Sequence, residues 1–138
     1  MAFDGNYRAR LWQDTSTAQA WRNRAAAEAD FGFPTLEDEH ALCGAESAEA
    51  VAALWREAGC GEVVVKLGAE GCRLPDGALV APDEQLAPID TSGAGDAFSA
   101  GYLACRLRGA SAEESARCAN ALAGWTVMRA GAIPARDE

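Results

Sequence analysis

The run EVVVKL at residues 62–67 sets the tightest limit on the fold. Three consecutive valines leave no polar face, so the segment suits a strand covered on both sides, as in a parallel sheet. Just before it, SAEAVAALWREAG (47–59) places Val51, Leu54, Trp55 and Ala58 at i, i+3, i+4 and i+7, with Gly59 as a stop. A helix feeding a doubly buried strand predicts a layered α/β architecture. STAQAWRNRAAAEA (16–29) reads as another helix, with Ser16 and Gln19 at capping-box spacing. GAEG (68–71) and PDG (75–77) read as turns that separate CRL and ALVAP as short strands. One further helix is predicted from about Gly93 to Arg108, and a last one from Ser111, with Glu114 completing a capping box, to about Arg129. No internal repeat or low-complexity linker divides the sequence, and residues 1–138 are read as one domain.

The net charge of −9, from 12 basic and 21 acidic residues without a Lys/Arg cluster, argues against nucleic acid or an anionic membrane surface as partner. An anionic ligand must then be held by backbone dipoles and a few placed cations. Five cysteines (Cys43, Cys60, Cys72, Cys105, Cys118) form no CxxC pair, which predicts reduced thiols. The opening MAFDGNYRAR has no apolar signal region and no run reaches membrane-spanning length, so a soluble, cytoplasmic protein is expected.

The chemistry concentrates in DTSGAGDAFSAG (90–101), which holds three glycines and two aspartates ahead of an apolar helical pattern. Gly93 and Gly95 allow a tight turn and a close approach of ligand to main chain. The following helix aims its free N–H groups at the same spot and favours an anion there. A carboxylate at Asp96 would repel a phosphate in mere binding. It makes sense as a base that takes a proton from a hydroxyl attacking phosphorus, while the N–H groups stabilise the developing charge. The plainer alternative is a helix N-terminal carboxylate with no chemical role.

At the front, FDGNYR reads as a strand, which would turn Asp4, Asn6 and Arg8 to one face. A carboxamide and a guanidinium together can grip a polyol or a carboxylate. An edge strand with a surface ion pair would give the same pattern.

DTSGAGDAFSAGYLA resembles the C-terminal signature of the ribokinase-like (PfkB) carbohydrate kinases, DTxGAGD followed by a helix. The resemblance implies that Asp96 is the catalytic base and that Gly93, Ala94 and Gly95 form the anion hole. Asp90 and Thr91 would shape the loop and help hold a monovalent cation such as K⁺. VVVKLGAEG resembles the family's strand and turn along ATP, which puts Lys66, Gly68, Ala69, Glu70 and Gly71 at the nucleotide; alone, that stretch would pass for an ordinary hairpin turn. ANALAGWTVMRAGA resembles the helix whose Asn, here Asn120, lies near the base. FPTLEDEHALCG resembles the PNxxExxxLxG segment that orders Mg²⁺ and phosphate, but Thr35 stands at the Asn position and Asp38 at the Glu position. His40 in that segment reads as a surface residue.

FDGNYRARLW is similar to the DxNxRxxLW segment of 2-keto-3-deoxygluconate kinases, which implies that Asn6 and Arg8 bind a sugar acid together with Asp96. The fold implied is a ribokinase-like three-layer α/β/α domain of which this chain matches only the C-terminal half, without the N-terminal strands and β-lid. The activity implied is transfer of the ATP γ-phosphoryl to a sugar acid, with Mg²⁺ travelling on the nucleotide. A kinase for another sugar such as fructose, or a non-catalytic nucleotide-binding or assembly module, are the competing readings. An incomplete sheet also implies a homo-oligomer or a partner chain covering its open edge.

Overall fold

The computed structural model describes residues 1–135. Two compact units emerge: Met1–Gly68 with Cys72–Leu79, and Ala69–Gly71 with the chain from Val80 onward. Helices and short strands alternate along the chain, as the sequence predicts.

In the first unit, β1 (Ala2–Phe3), β2 (Phe31–Gly32) and β3 (Glu62–Val63) form a parallel sheet in the order β1-β2-β3. Ala2 stands opposite Phe31, and Phe31 opposite Glu62. The EVVVKL run is not one strand: after β3 the chain passes Val64 and continues as β4 (Val65–Lys66), antiparallel to β5 (Cys72–Arg73). Val64 N–H donates to Gly32 O at 2.9 Å and Lys66 N–H to Pro34 O at 2.8 Å, so backbone pairing is maintained across the division. Val63, Val64 and Val65 are all fully buried, which is what three valines in a row demand. The PDG turn forms as expected, with Asp76 accepting Ala78 N–H at 2.9 Å and Leu74 N–H donating to Ala78 O at 2.8 Å. β6 (Leu79–Val80) follows it.

Helix α3 (Ala48–Glu57) buries Val51 and Trp55 of the expected stripe and Ala52 beside them, leaves Leu54 half-buried with Ala58 just past its end, and is capped by Ser47. Trp55 is wholly buried and stacks on Phe3 with ring centroids 5.2 Å apart. A Cβ at Gly32 would lie 2.7 Å from the Trp55 ring and from Cys60 Sγ, so the strand needs glycine there for the indole to lie against it. Helix α1 (Thr15–Ala27) starts earlier than expected. The cap is Asp14, not Ser16: its carboxylate accepts Thr17 N–H at 2.7 Å and the Ser16 and Thr17 hydroxyls at 2.6 and 3.0 Å. The Ser16 hydroxyl and these other donors hold the Asp14 carboxyl below its ordinary value. Gln19, freed from capping, donates to Leu42 O at 2.9 Å and ties α1 to α2 (Leu36–Cys43).

Between these helices lies a buried ionic cluster. Arg22 of α1 pairs with Glu39 of α2, with side chains only 7% and 3% exposed, and Trp55 Nε1 donates to the other Glu39 oxygen at 2.8 Å. Periodicity within one segment cannot show such a pair, because it joins side chains of two different helices.

The second unit is a helical hairpin of α4 (Ala94–Arg106) and α5 (Ala112–Val127). The capping box at Ser111 and Glu114 is present: Ser111 Oγ accepts Glu114 N–H at 3.2 Å, and Glu114 accepts Ser111 N–H at 2.8 Å. Phe98, Tyr102, Ala116 and Ala119 are buried. Gly101 lets the helices nearly touch, for a Cβ there would stand 2.9 Å from Ala119 Cα. No helix among the described residues is long and apolar enough to cross a membrane.

Candidate functional site

In the second unit, residues 90–96 form a loop held by its own carboxylate. Asp90 accepts Ser92 N–H at 2.9 Å and Gly131 N–H, from beyond α5, at 2.8 Å. These two amides, Ser92 first, and then the Ser92 hydroxyl hold its carboxyl below the ordinary aspartate value. Because the folded value is depressed, the tie is complete above the ordinary value and is lost as pH falls through the lowered one. Each Asp90 oxygen takes one of these backbone amides, although a carboxylate oxygen can accept two bonds. Thr91 beside it is exposed, its carbonyl accepting Ala94 N–H at 3.3 Å.

Gly93 is the N-cap of α4, with φ 76° in the left-handed region. A Cβ there would stand 2.4 Å from Ala132 O, so no other residue fits without moving the chain. Of the two glycines expected to make the turn, only Gly93 has a positive φ; Gly95 lies in the first turn of α4. The N-cap has no side chain to offer the first-turn N–H groups, of which Ala94 N–H is taken by Thr91 O. Asp96 sits in the same turn and is exposed. Gly93, Ala94, Gly95 and Asp96 thus lie together at the N-terminus of α4, with the Asp96 carboxylate in its first turn.

Asn120 lies on α5, buried, with its amide donating to Val80 O at 3.2 Å. It lines a cavity of about 350 Å³ with Pro82, Leu86, Gly124, Trp125 and Arg129. The Arg129 guanidinium lies over the Trp125 ring at 4.1 Å from its centroid. Asp83, Glu84 and Arg117 also line the cavity, so its walls mix charged and apolar side chains. The sequence pointed to Asn120 but not to Trp125 or Arg129. The signal was there, since Ala121, Trp125 and Arg129 recur at i, i+4 and i+8 next to Asn120 and all line the cavity.

The Gly68–Glu70 stretch is a single 3-10 turn, with Ala69 and Glu70 exposed. Gly71 has φ 94°, and a Cβ on it would fall 2.0 Å from Val80 O, so this turn also needs its glycine. Gly68, at φ 62°, meets nothing within 4 Å at the Cβ position and leaves its surface open.

In the first unit, Lys66 is buried and its ammonium pairs with Asp4. The predicted strand through FDGNYR does not extend that far: β1 stops at Phe3, and Asn6 adopts φ 44°. Asp4, Asn6 and Arg8 therefore do not share a strand face. Asn6 tolerates the left-handed region through its short polar side chain, and the resulting bend brings Arg8 Nη2 to Asn6 Oδ1 at 3.0 Å. Arg8 Nη1 also reaches Asp38 at 3.2 Å. Asn6 and Asp38 line a cavity of about 240 Å³ whose other walls include Tyr7, Trp12 and Trp21. The three polar residues assigned to the acceptor and to Mg²⁺ thus form one hydrogen-bonded chain. His40 is exposed, as expected, with its ring 3.1 Å from Ala45 O. No group of three His, Cys, Asp or Glu side chains that could hold a metal ion occurs among the described residues.

The whole chain, residues 1–138, matches the model of the pfkB family of carbohydrate kinases. It is 42% identical over 141 residues to 2-dehydro-3-deoxygluconokinase of Escherichia coli K12, an alignment covering 98% of this chain and 46% of that enzyme. The chain thus spans about half the length of the curated relatives it matches. Among solved structures, aminoimidazole riboside kinase from Salmonella enterica, complexed with aminoimidazole riboside and an ATP analogue, superposes with TM-score 0.82 at 30% identity, covering 95% of this chain and 46% of that one. A PfkB protein from Polaromonas sp. JS666 superposes with TM-score 0.78 at 32% identity, over 92% of this chain and 42% of that one. With its ribokinase-like α/β fold and the glycine loop at the head of α4, this chain belongs to the pfkB family of carbohydrate kinases.

Proposed function

We propose that the chain carries the nucleotide-binding and catalytic part of an ATP-dependent sugar-acid kinase. The reaction is transfer of the γ-phosphoryl to a 2-keto-3-deoxygluconate-like acceptor, giving its 6-phosphate. The observation that carries this reading is the left-handed Gly93 opening α4 with Asp96 one turn inside. That arrangement sets a helix N-terminus beside a carboxylate, which supports proton abstraction at a phosphoryl acceptor over binding alone.

In this reading Asp96 takes the proton of the acceptor hydroxyl as its oxygen attacks phosphorus. The N–H groups of the Gly93-Ala94-Gly95 segment stabilise charge on the transferred group. Asn6 and Arg8 bind the sugar acid, Arg8 through its paired guanidinium donors. The cavity beside Asn120 takes the adenine ring, and the turn Gly68–Gly71 runs along the nucleotide, with Lys66 at its base. ATP phosphates and water hold most of the Mg²⁺ shell, a fit consistent with a single carboxylate, Asp38, rather than a protein cage. The ion supplies neutralisation of phosphate charge when bound. Asp90 and Thr91 hold a monovalent cation through their oxygens. The identity with 2-dehydro-3-deoxygluconokinase supports the choice of acceptor.

Coupled ADP release with a panel of sugars and sugar acids tests this. The keto-deoxy acid is expected to give the fastest turnover. Preference for fructose would overturn the acceptor, and ATP binding without turnover on any sugar would leave a non-catalytic nucleotide module.

The proposal includes a partner surface. Among the described residues β1 has a neighbour only on its β2 side, and Leu11, Trp12 and Trp21 of the same unit are exposed. An open sheet edge and exposed apolar side chains on the same unit both favour pairing with another chain. A homo-oligomer or complementing partner is expected to cover it. Sedimentation at micromolar concentration should show a dimer or larger species, and a monodisperse, heat-stable monomer would refute the idea.

A further inference from the structure

The helical hairpin carries two cysteines that the kinase reading leaves unused. Cys105 lies near the end of α4, partly buried, and Cys118 is exposed in the middle of α5. Gly101, one turn before Cys105 on the same helix face, approaches α5 so closely that a Cβ would stand 3.2 Å from Cys118 O and 2.9 Å from Ala119 Cα. Helix backbones this near are needed for a bridge between helices, because a disulfide requires Cα atoms roughly 4.4–6.8 Å apart. Cys105 follows Gly101 by one turn of α4, and Cys118 belongs to the stretch of α5 that Gly101 meets. Cys60 and Cys72 are buried, and burial pushes the Cys72 thiol up to about 12, which removes it from thiol chemistry near neutral pH.

We propose that Cys105 and Cys118 form a redox modification site, closing to an α4–α5 disulfide on exposure to a small-molecule disulfide such as oxidised glutathione. The exposed Cys118 loses its proton to water, and its thiolate attacks one sulfur of glutathione disulfide. A mixed disulfide forms and one glutathione thiolate leaves. Cys105 then loses its proton and attacks the Cys118 sulfur, expelling the second glutathione. Two electrons and two protons leave the protein: the cysteines are oxidised, and glutathione disulfide is reduced to two thiols. The hydrogen bond to Cys118, with partial burial, holds the Cys105 thiol above its ordinary value, which fits Cys118 as the first attacker and Cys105 as the resolving group. Closure would staple the helix that bears the glycine loop at its other end.

The test treats the purified full chain with oxidised glutathione, blocks remaining thiols by alkylation and digests with trypsin. Arg106 and Arg117 separate the two cysteines into different peptides. One linked pair, Cys105–Cys118, is expected to dominate, to vanish on reduction and to persist in Cys43→Ser. The oxidised protein should also melt at least about 5 °C higher, since the bridge closes a short loop of the unfolded chain. The same digestion on urea-unfolded protein gives the scrambled pattern for comparison. A native pattern equal to the scrambled one, or glutathione left on Cys118 without a bridge, would overturn the proposal.

Discussion

Asp96→Asn should lower phosphoryl transfer by roughly 10²–10⁴-fold while ATP affinity changes little. The amide keeps the size and the α4 first-turn position of the carboxylate, so the proposed anion site is undisturbed. What it loses is the capacity to accept the acceptor's proton. Removing a negative charge next to the phosphates should, if anything, tighten ATP slightly. Turnover is measured by coupled ADP release in the form that shows activity, and affinity by calorimetric titration with ATP. Undiminished turnover would remove Asp96 from the chemistry and leave it a helix N-terminal carboxylate.

Glu39→Ala should cost roughly 3–5 kcal/mol of folding free energy. The replacement leaves the Arg22 cation buried without its partner and strips Trp55 Nε1 of its acceptor. Desolvation makes both losses expensive, whereas an exposed pair would be worth at most about 1 kcal/mol. With typical net stability of about 5–15 kcal/mol, such a change approaches unfolding. The double change Arg22→Met with Glu39→Leu should recover most of the loss, because apolar groups of similar volume need no partner. Urea denaturation of the single and double variants checks both statements. A single-variant cost below about 1 kcal/mol would mean that water reaches the pair.

The contrast between these two sites shows what was legible in the sequence. The glycine loop was readable because a positive φ, a helix start and a carboxylate all fall within residues 90–96, whereas its ties to Gly131 and Ala132 lay beyond local reading. Helix α3 and the three valines were readable because burial imposes a period on the chain. The Arg22–Glu39 pair was not, since it joins residues 17 positions apart on different helices and depends on how those helices pack. The front segment failed for a related reason. Alternation suggested a strand through Arg8, but Asn6 entered the left-handed region and its side chain found Arg8. Local alternation carries no information about such a bend. The start of α1 was misplaced because Ser16 has capping-box spacing, while Asp14 collects more donors.

The loop that carries Asp96 has a timing built into it. Asp90 is tied to the Gly131 amide, 41 positions later, and Gly93 fits its left-handed turn against the backbone of Ala132. At synthesis rates of about 5–20 residues per second, Gly131 is added roughly 2–8 s after Asp90. Throughout that interval the glycine segment lacks the clamp that fixes its conformation, although for much of it α4 is already complete in the chain. The conformation of residues 90–93 is thus set only after the stretch beyond α5 has been made, so a helix completed early carries a cap that is fixed late.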